Sequence, residues 1–207
     1  MPSMEYEVAK QGDGFQRIAG IDEAGRGPLA GPVSAGAVIL PDGFSHDLLN
    51  DSKKLTEKRR EAIYEELTAN DEVIWALSYG DMAEIDSINI LRSTHAAMAR
   101  AALELSVRPD FCLIDGLPVP HFPIASQGIV KGDGKSLSIA AASIIAKVSR
   151  DRLMLQYAEQ YPEYGFERHK GYGTKLHLEA LRKYGPCPIH RRSFAPVAQL
   201  IDLKLET

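Results

Sequence analysis

The chain has 207 residues, of which 44% are hydrophobic and 25% charged, and its formal net charge is −4. This size and balance describe one ordinary folded domain with a complete core. They exclude an intrinsically disordered chain and a protein that coats nucleic acid through overall positive charge, though not a local basic groove. Cys112 and Cys187 are too few for a disulfide framework and form no Cys-x-x-Cys pair. No apolar stretch approaches the ~20 residues of a membrane-spanning helix. No basic-then-apolar signal segment opens the chain, so the expected compartment is the reducing cytoplasm.

In chain order, residues 1–16 read as a flexible polar leader. Segments 17–21 and 33–40 are strand candidates on either side of a glycine-rich turn, and 51–54 is a polar loop. Thr56 is the expected N-cap of a helix running to about Thr68, with Ala62, Ile63 and Leu67 on one face. Segment 72–79 is strand-like, and Asp86 or Ser87 opens a helix carrying Ile90, Leu91, Ala97, Met98, Ala101 and Leu105. A short apolar strand, 109–114, ends at Asp115-Gly116, and 123–130 contains another. The pattern is then helical from Ser136 or Ser138 to Tyr157. From Tyr161 onward basic residues crowd the chain, which suggests a small helical extension over one end of the sheet. The alternation predicts an α/β layer fold around a mixed sheet, with a core over 17–160 and an extension over 161–207.

The densest chemistry lies in residues 20–32, where Asp22 and Glu23 end an apolar run and four glycines and two prolines surround Arg26. The acids can hold a hard cation at a strand end, Gly25 and Gly27 admit close backbone approach, and Arg26 is a forked donor suited to phosphate. Asp115 occupies the same kind of strand-end position as Asp22, so neighbouring strands would bring both carboxylates to one edge. Asp133, in Lys131-Gly132-Asp133-Gly134-Lys135-Ser136, could complete an all-oxygen site of the kind Mg²⁺ or Mn²⁺ prefers. Gly134-Lys135-Ser136 is not a P-loop, because Ile129 stands where that motif needs its first glycine. No histidine or cysteine spacing supports zinc, and no Gly-x-Ser-x-Gly elbow supports serine hydrolysis. Asp151 reads as structural or outer to the site, paired with Arg150, Arg152 or a tail residue. Metal-assisted phosphodiester hydrolysis fits the carboxylates that remain.

Arg168-His169-Lys170-Gly171-Tyr172-Gly173 is the best substrate-reading segment: Lys170 can contact phosphate, and the glycines expose Tyr172 for stacking on a sugar or base. Ser52 and Lys53 form a candidate phosphate-contacting loop, and Arg191 and Arg192 could add backbone contacts. Each signal has a plain alternative: an Asp-Gly turn at Asp115, a solvated loop at Ser52 and Lys53, a core-anchoring Tyr172, and arginines that neutralise acids inside the fold.

The segments 20–32, 50–59, 114–116, 130–133, 141–148, 150–151, 164–166, 169–172 and 191–194 together resemble bacterial ribonuclease HII, a type 2 ribonuclease H. The resemblance implies a ribonuclease-H-like mixed sheet flanked by helices, with a helical C-terminal extension. It implies cleavage of the RNA strand of RNA–DNA hybrids and of duplex DNA carrying single ribonucleotides, with Mg²⁺ or Mn²⁺, leaving 5′-phosphate and 3′-hydroxyl ends. The metal and catalytic acids match as Asp22, Glu23, Asp115 and Asp133. Gly25, Arg26 and Gly27 match the element that senses the ribose 2′-OH, and Tyr172 the tyrosine that packs on the adjoining deoxyribose. The family's usual state is a monomer, with ribonucleotide excision as a main role. A junction-resolving nuclease would share the acids but explain the Gly-Arg-Gly and Gly-Tyr-Gly pair less well. A noncatalytic nucleic-acid module would need no acid cluster.

Overall fold

The structure is a computed structural model that describes residues 1–46, 49 and 55–205, with the side chains of 203–205 excepted. The expected phosphate-contacting residues Ser52 and Lys53 lie outside the described residues.

Five strands form one sheet: β1 (Ile18–Ala24), β2 (Val33–Ile39), β3 (Ile74–Gly80), β4 (Phe111–Asp115) and β5 (Ser126–Ile129), in the order β3-β2-β1-β4-β5. β1, β2 and β3 form an antiparallel meander, while β4 and β5 add to β1 in parallel. The mixed sheet is therefore as the sequence predicts, and the two strand candidates that flank the glycine-rich turn pair antiparallel. Helix α2 (Glu57–Ala69) begins at Thr56, whose side chain accepts a hydrogen bond from the Arg59 N–H at 3.4 Å.

Residues 1–16 are more than a flexible leader, because they contain helix α1 (Glu5–Gly12). Glu7 is buried, and its Oε1 accepts from Ser136 Oγ at 2.6 Å and from the Ser138 N–H at 3.0 Å. This carboxylate sits at the N-terminus of α5 (Leu137–Gln160), where unpaired N–H groups and the helix dipole favour negative charge. The partners are more than a hundred residues apart, so local composition conceals the tie.

The helix expected from Asp86 or Ser87 is two helices, α3 (Met82–Ile88) and α4 (Ile90–Glu104). Asp81 caps the first, and Asn89, at φ 70°, breaks the run and caps the second by accepting from the Arg92 N–H at 3.1 Å. Asn tolerates positive φ better than most residues. Asp86 lies within α3, and its carboxylate accepts from the backbone N–H groups of Arg192 at 3.0 Å and Ser193 at 2.8 Å.

Two layers cover the sheet. On one face α5 packs with α2 against Val38 and Leu40 through Ala141, Ile144, Ile145 and Val148. On the other, α4 lays Ala97, Met98 and Ala101 over Ala19, Ile21 and Ile114. The alternation of Ala19 and Ile21 with Gly20 is a strand's period of two. Gly20 faces α5, and a Cβ there would collide with the Ser138 backbone. Gly20→Ala is expected to cost ~1–3 kcal/mol or more by overpacking, read as a lower urea midpoint. An unchanged midpoint would show that α5 is not seated this tightly.

The C-terminal extension comprises α6 (Phe166–His169), α7 (Lys175–Tyr184) and α8 (Ala195–Leu205). Its apolar cluster joins Phe166, Leu181 and Val197 to Leu29, Ala30 and Met154. The glycine-rich turn is thus packed against the extension: Leu29 N–H donates to Gly171 O at 2.8 Å, and Arg191 N–H to Leu29 O at 2.9 Å.

Candidate active site

Ile21 pairs with Ile114 across the parallel β1–β4 ladder, so the next residues, Asp22 and Asp115, leave it side by side. Asp115 in turn pairs with Ile129 of β5. The chain then makes a single 3₁₀ turn, Gly132–Gly134, and Gly132 N–H donates to Asp115 Oδ1 at 2.6 Å. Asp133 follows Gly132 directly. The carboxyl ends of three parallel strands thus place Asp22, Asp115 and Asp133 at one edge, with Glu23 one residue beyond Asp22. Open α/β sheets place ligands at such an edge.

Asp22 is 5% exposed and Asp133 6%. Burial first, and then the charges of Glu23 and Asp115, hold the Asp22 carboxyl well above the usual carboxylate range, against hydrogen bonds from Ser143 and the Glu23 N–H. Among the described residues, no three His, Cys, Asp or Glu side chains close on a common cation position. Instead, three of the acids commit an oxygen to a protein donor. Asp22 Oδ1 accepts from the Glu23 N–H at 2.7 Å, Asp115 Oδ1 from Gly132, and Glu23 Oε1 from Arg26 Nη1 at 3.2 Å. The donor chemistry nevertheless fits Mg²⁺ or Mn²⁺: it is all oxygen, and the repulsion that raises Asp22 is what a divalent cation would relieve.

Three depressions sharing residues make a continuous groove. The central one, about 240 Å³, is lined by Asp22, Glu23, Gly25, Arg26, Gly27 and Tyr172, with Ser143 and Lys147 on its α5 side. Lys147 and Tyr172 also line a more open cleft of about 360 Å³ carrying Arg60, Arg168 and Lys170. Glu23 and Arg26 also line a third, about 240 Å³, which holds Asp115 and His95. Basic residues therefore lead toward the acids. Tyr172 is 43% exposed, and its ring lies opposite Gly27, where a Cβ would be 3.7 Å from Cε1.

Gly25 has φ 89°, and a Cβ there would collide with the Arg150 side chain. Arg150 is buried, and its guanidinium donates to Pro32 O at 2.8 Å, Lys170 O at 3.0 Å and Ala30 O at 3.1 Å. Arg191, expected to add a backbone contact, does not line the three depressions. It is 0% exposed and donates to Gly31 O at 2.8 Å, Arg26 O at 2.9 Å and Gly25 O at 2.6 Å. Arg192 is exposed, its backbone is tied to Asp86, and it is not among the residues lining the three depressions. Lys170 does line the basic cleft, and its Nζ donates to Glu167 O at 2.6 Å.

Asp151 pairs with Lys147 at 2.7 Å, one helical turn back, rather than with Arg150 or Arg152. Ser143, Lys147 and Asp151 stand at i, i+4 and i+8 on α5, a polar stripe facing the groove. That spacing was legible, but Ser143 and Lys147 carry no signal of their own inside an alanine-rich run.

The family model described as Ribonuclease HII matches residues 19–197. The chain belongs to the ribonuclease HII family. A ribonuclease HII of Chlamydia caviae is 55% identical over 196 residues, 95% of this chain and 92% of the relative. One from Endomicrobium trichonymphae is 56% identical over 192 residues, 91% of this chain and 90% of the relative. Among solved structures, ribonuclease H2 from Pyrococcus horikoshii OT3 superposes with a TM-score of 0.75 at 27% identity, covering 93% of this chain and 100% of that one. The ribonuclease HII of Archaeoglobus fulgidus, solved in a complex with PCNA, gives 0.72 at 25% identity, covering 86% and 95%. Membership in the ribonuclease HII family classes the chain as a metal-dependent endoribonuclease with a ribonuclease-H-like fold. Among the described residues no helix is long and apolar enough to cross a membrane.

Proposed function

We propose that this chain cleaves the RNA strand of RNA–DNA hybrids and cuts on the 5′ side of ribonucleotides embedded in duplex DNA, leaving 5′-phosphate and 3′-hydroxyl ends. The observation that carries this reading is the in-register exit of Asp22 and Asp115 beside the Gly25-Arg26-Gly27 turn, with Tyr172 facing it. Asp22, Glu23, Asp115 and Asp133 would hold Mg²⁺ or Mn²⁺. Two divalent cations there would supply activation of the attacking water and stabilisation of the leaving oxygen.

The chain's own residues position the strand. Peptide groups at Gly25 and Gly27 meet the ribose 2′-OH, which both donates and accepts hydrogen bonds and so marks RNA. Arg26 orients the adjoining phosphate, and Tyr172 packs on the next sugar, where a deoxyribose leaves an apolar face. Lys170, with Lys147 and Arg168 beside it, contacts phosphates along the approach. The protein is proposed to act as a monomer in the cytoplasm.

The test is a DNA duplex with one ribonucleotide beside an all-DNA duplex, with Mg²⁺ or Mn²⁺ or with EDTA. Cleavage is expected at the ribonucleotide and only with metal. Asp115→Asn is expected to lower turnover about 10³-fold, the scale of losing a charge-stabilising group. Cutting of the all-DNA duplex, or full turnover in EDTA, would overturn the reading.

A further inference from the structure

Behind the Tyr172 loop lies a chain of buried imidazoles that the proposed chemistry does not use. His177 is 0% exposed and His190 2%. Their Nε2 atoms are 3.0 Å apart. His177 Nδ1 is 2.9 Å from Tyr172 O. His190 Nδ1 accepts from the Cys187 backbone N–H at 3.0 Å and lies 3.1 Å from Cys187 Sγ, a thiol that can donate to the same nitrogen. The two ends of this chain fix every proton in it. A carbonyl only accepts, so His177 carries its proton on Nδ1 and presents a bare Nε2. A backbone N–H only donates, so His190 is bare at Nδ1 and carries its proton on Nε2. The contact between the rings is then a single hydrogen bond from His190 to His177. The order is Cys187 N–H to His190, His190 to His177, and His177 to Tyr172 O, with both rings neutral. Burial agrees, pushing both imidazoles down to about 4.

The same loop is held on its other side. His169 Nε2 is 3.0 Å from Tyr164 O, its Nδ1 accepts from Gly171 N–H at 3.3 Å, and Tyr172 N–H donates to His169 O at 2.9 Å. The His169 and His177 rings stack at 4.6 Å. Phe166 meets both edge-on. The backbone of Tyr172 is thus fixed at its N–H by His169 and at its carbonyl by His177 and Thr174. Its ring alone projects into the groove.

We propose that His177, held in its Nδ1–H tautomer by His190, is a positioning residue for substrate selection: it fixes the Tyr172 carbonyl and through it the angle at which the ring meets the sugar. This inference rests on the role given to Tyr172 above. A displaced ring would still lie in the groove but would distinguish a DNA sugar from an RNA sugar poorly.

Two substitutions separate the two nitrogens of His177. His177→Asn places an amide donor where Nδ1 stands and keeps the bond to Tyr172 O. His177→Gln places its amide where Nε2 stands and loses that bond. The readout is the ratio of kcat/KM on a one-ribonucleotide duplex to kcat/KM on an all-RNA hybrid. His177→Gln is expected to lower this ratio about 10- to 100-fold, the scale of a small misplacement at a reacting site. His177→Asn should stay near the parent ratio, and Tyr172→Ala should lower it as His177→Gln does. If Tyr172→Ala lowers the ratio and His177→Gln does not, or the Asn and Gln variants fall together, the relay is overturned. If Tyr172→Ala leaves the ratio unchanged, the tyrosine reading fails and takes the relay with it. Nitrogen-15 spectra of the unmutated protein at neutral pH supply a measurement that no misfolding can confound. Nδ1–H at His177 and Nε2–H at His190 are expected, and the reverse assignment overturns the proposal.

Discussion

Asp22→Asn is expected to remove nearly all turnover and, in the same protein, to raise thermal stability when metal is absent. The first effect follows from the loss of a charged group proposed above to hold metal at the acid edge, about 10³-fold in kcat. The second follows from the cost of keeping Asp22 ionised where burial and the charges of Glu23 and Asp115 oppose it. Because its folded-state pKa is raised, the folded protein binds more protons at this site than the unfolded chain between the ordinary value and the raised one. Stability of the metal-free protein therefore falls as pH climbs through that window and is regained as pH drops. Asparagine keeps the shape and carries no charge, so the variant should lack this slope. Each ~1 kcal/mol recovered is worth about 2–4 °C in a chain of this size. Melting curves in EDTA across pH 4–8, repeated with Mn²⁺, provide the check. The variant should melt higher than the parent in EDTA and lose that advantage when metal is added. A variant that melts lower than the parent at neutral pH in EDTA would show that the hydrogen bonds Asp22 accepts from the Glu23 N–H and Ser143 outweigh the cost of its charge.

The features legible in the sequence were those whose cause is local. Apolar runs ending in acids marked β1 and β4, Thr56 marked the start of α2, and the pair Ser136 or Ser138 marked that of α5, which Ser136 caps. The acid edge was legible only conditionally, because β1 and β4 meet across about ninety residues of chain and their register is a property of topology. Features with distant causes stayed hidden. Nothing near Glu7 announces that it will answer Ser136 and Ser138, so the first helix passed for a polar leader. Arg191 was read by its charge, and charged residues are mostly exposed. Its true partners are backbone carbonyls, which no residue type reveals.

Arg191→Lys is expected to unfold the site from beneath and to cost ~2–4 kcal/mol of stability, although it conserves charge. The arginine side chain spans the carbonyls of Gly25, Arg26 and Gly31 with its planar fork, while Arg150 holds those of Ala30, Pro32 and Lys170. Together they grip both ends of the glycine-rich turn and tie it to the Tyr172 loop. A lysine ammonium is a compact charge on a single nitrogen and cannot replace three donors spread over a planar guanidinium, so buried acceptors are left unpaired at ~1–3 kcal/mol each. Burial and the neighbouring Arg150 disfavour a cation here, and a charged lysine meets the same cost without the three bonds. The turn that should meet the ribose is then no longer held in place. Urea unfolding should show a lower midpoint with an unchanged slope. Cleavage of the one-ribonucleotide duplex should fall even where the variant remains folded. A phosphate-contacting Arg191 makes the opposite forecast: stability within about 0.5 kcal/mol of the parent and a shallower dependence of affinity on salt. Paired unfolding and salt-titration measurements on Arg191→Lys decide between a guanidinium that builds the turn and one that touches the substrate, and the three carbonyl bonds favour the first.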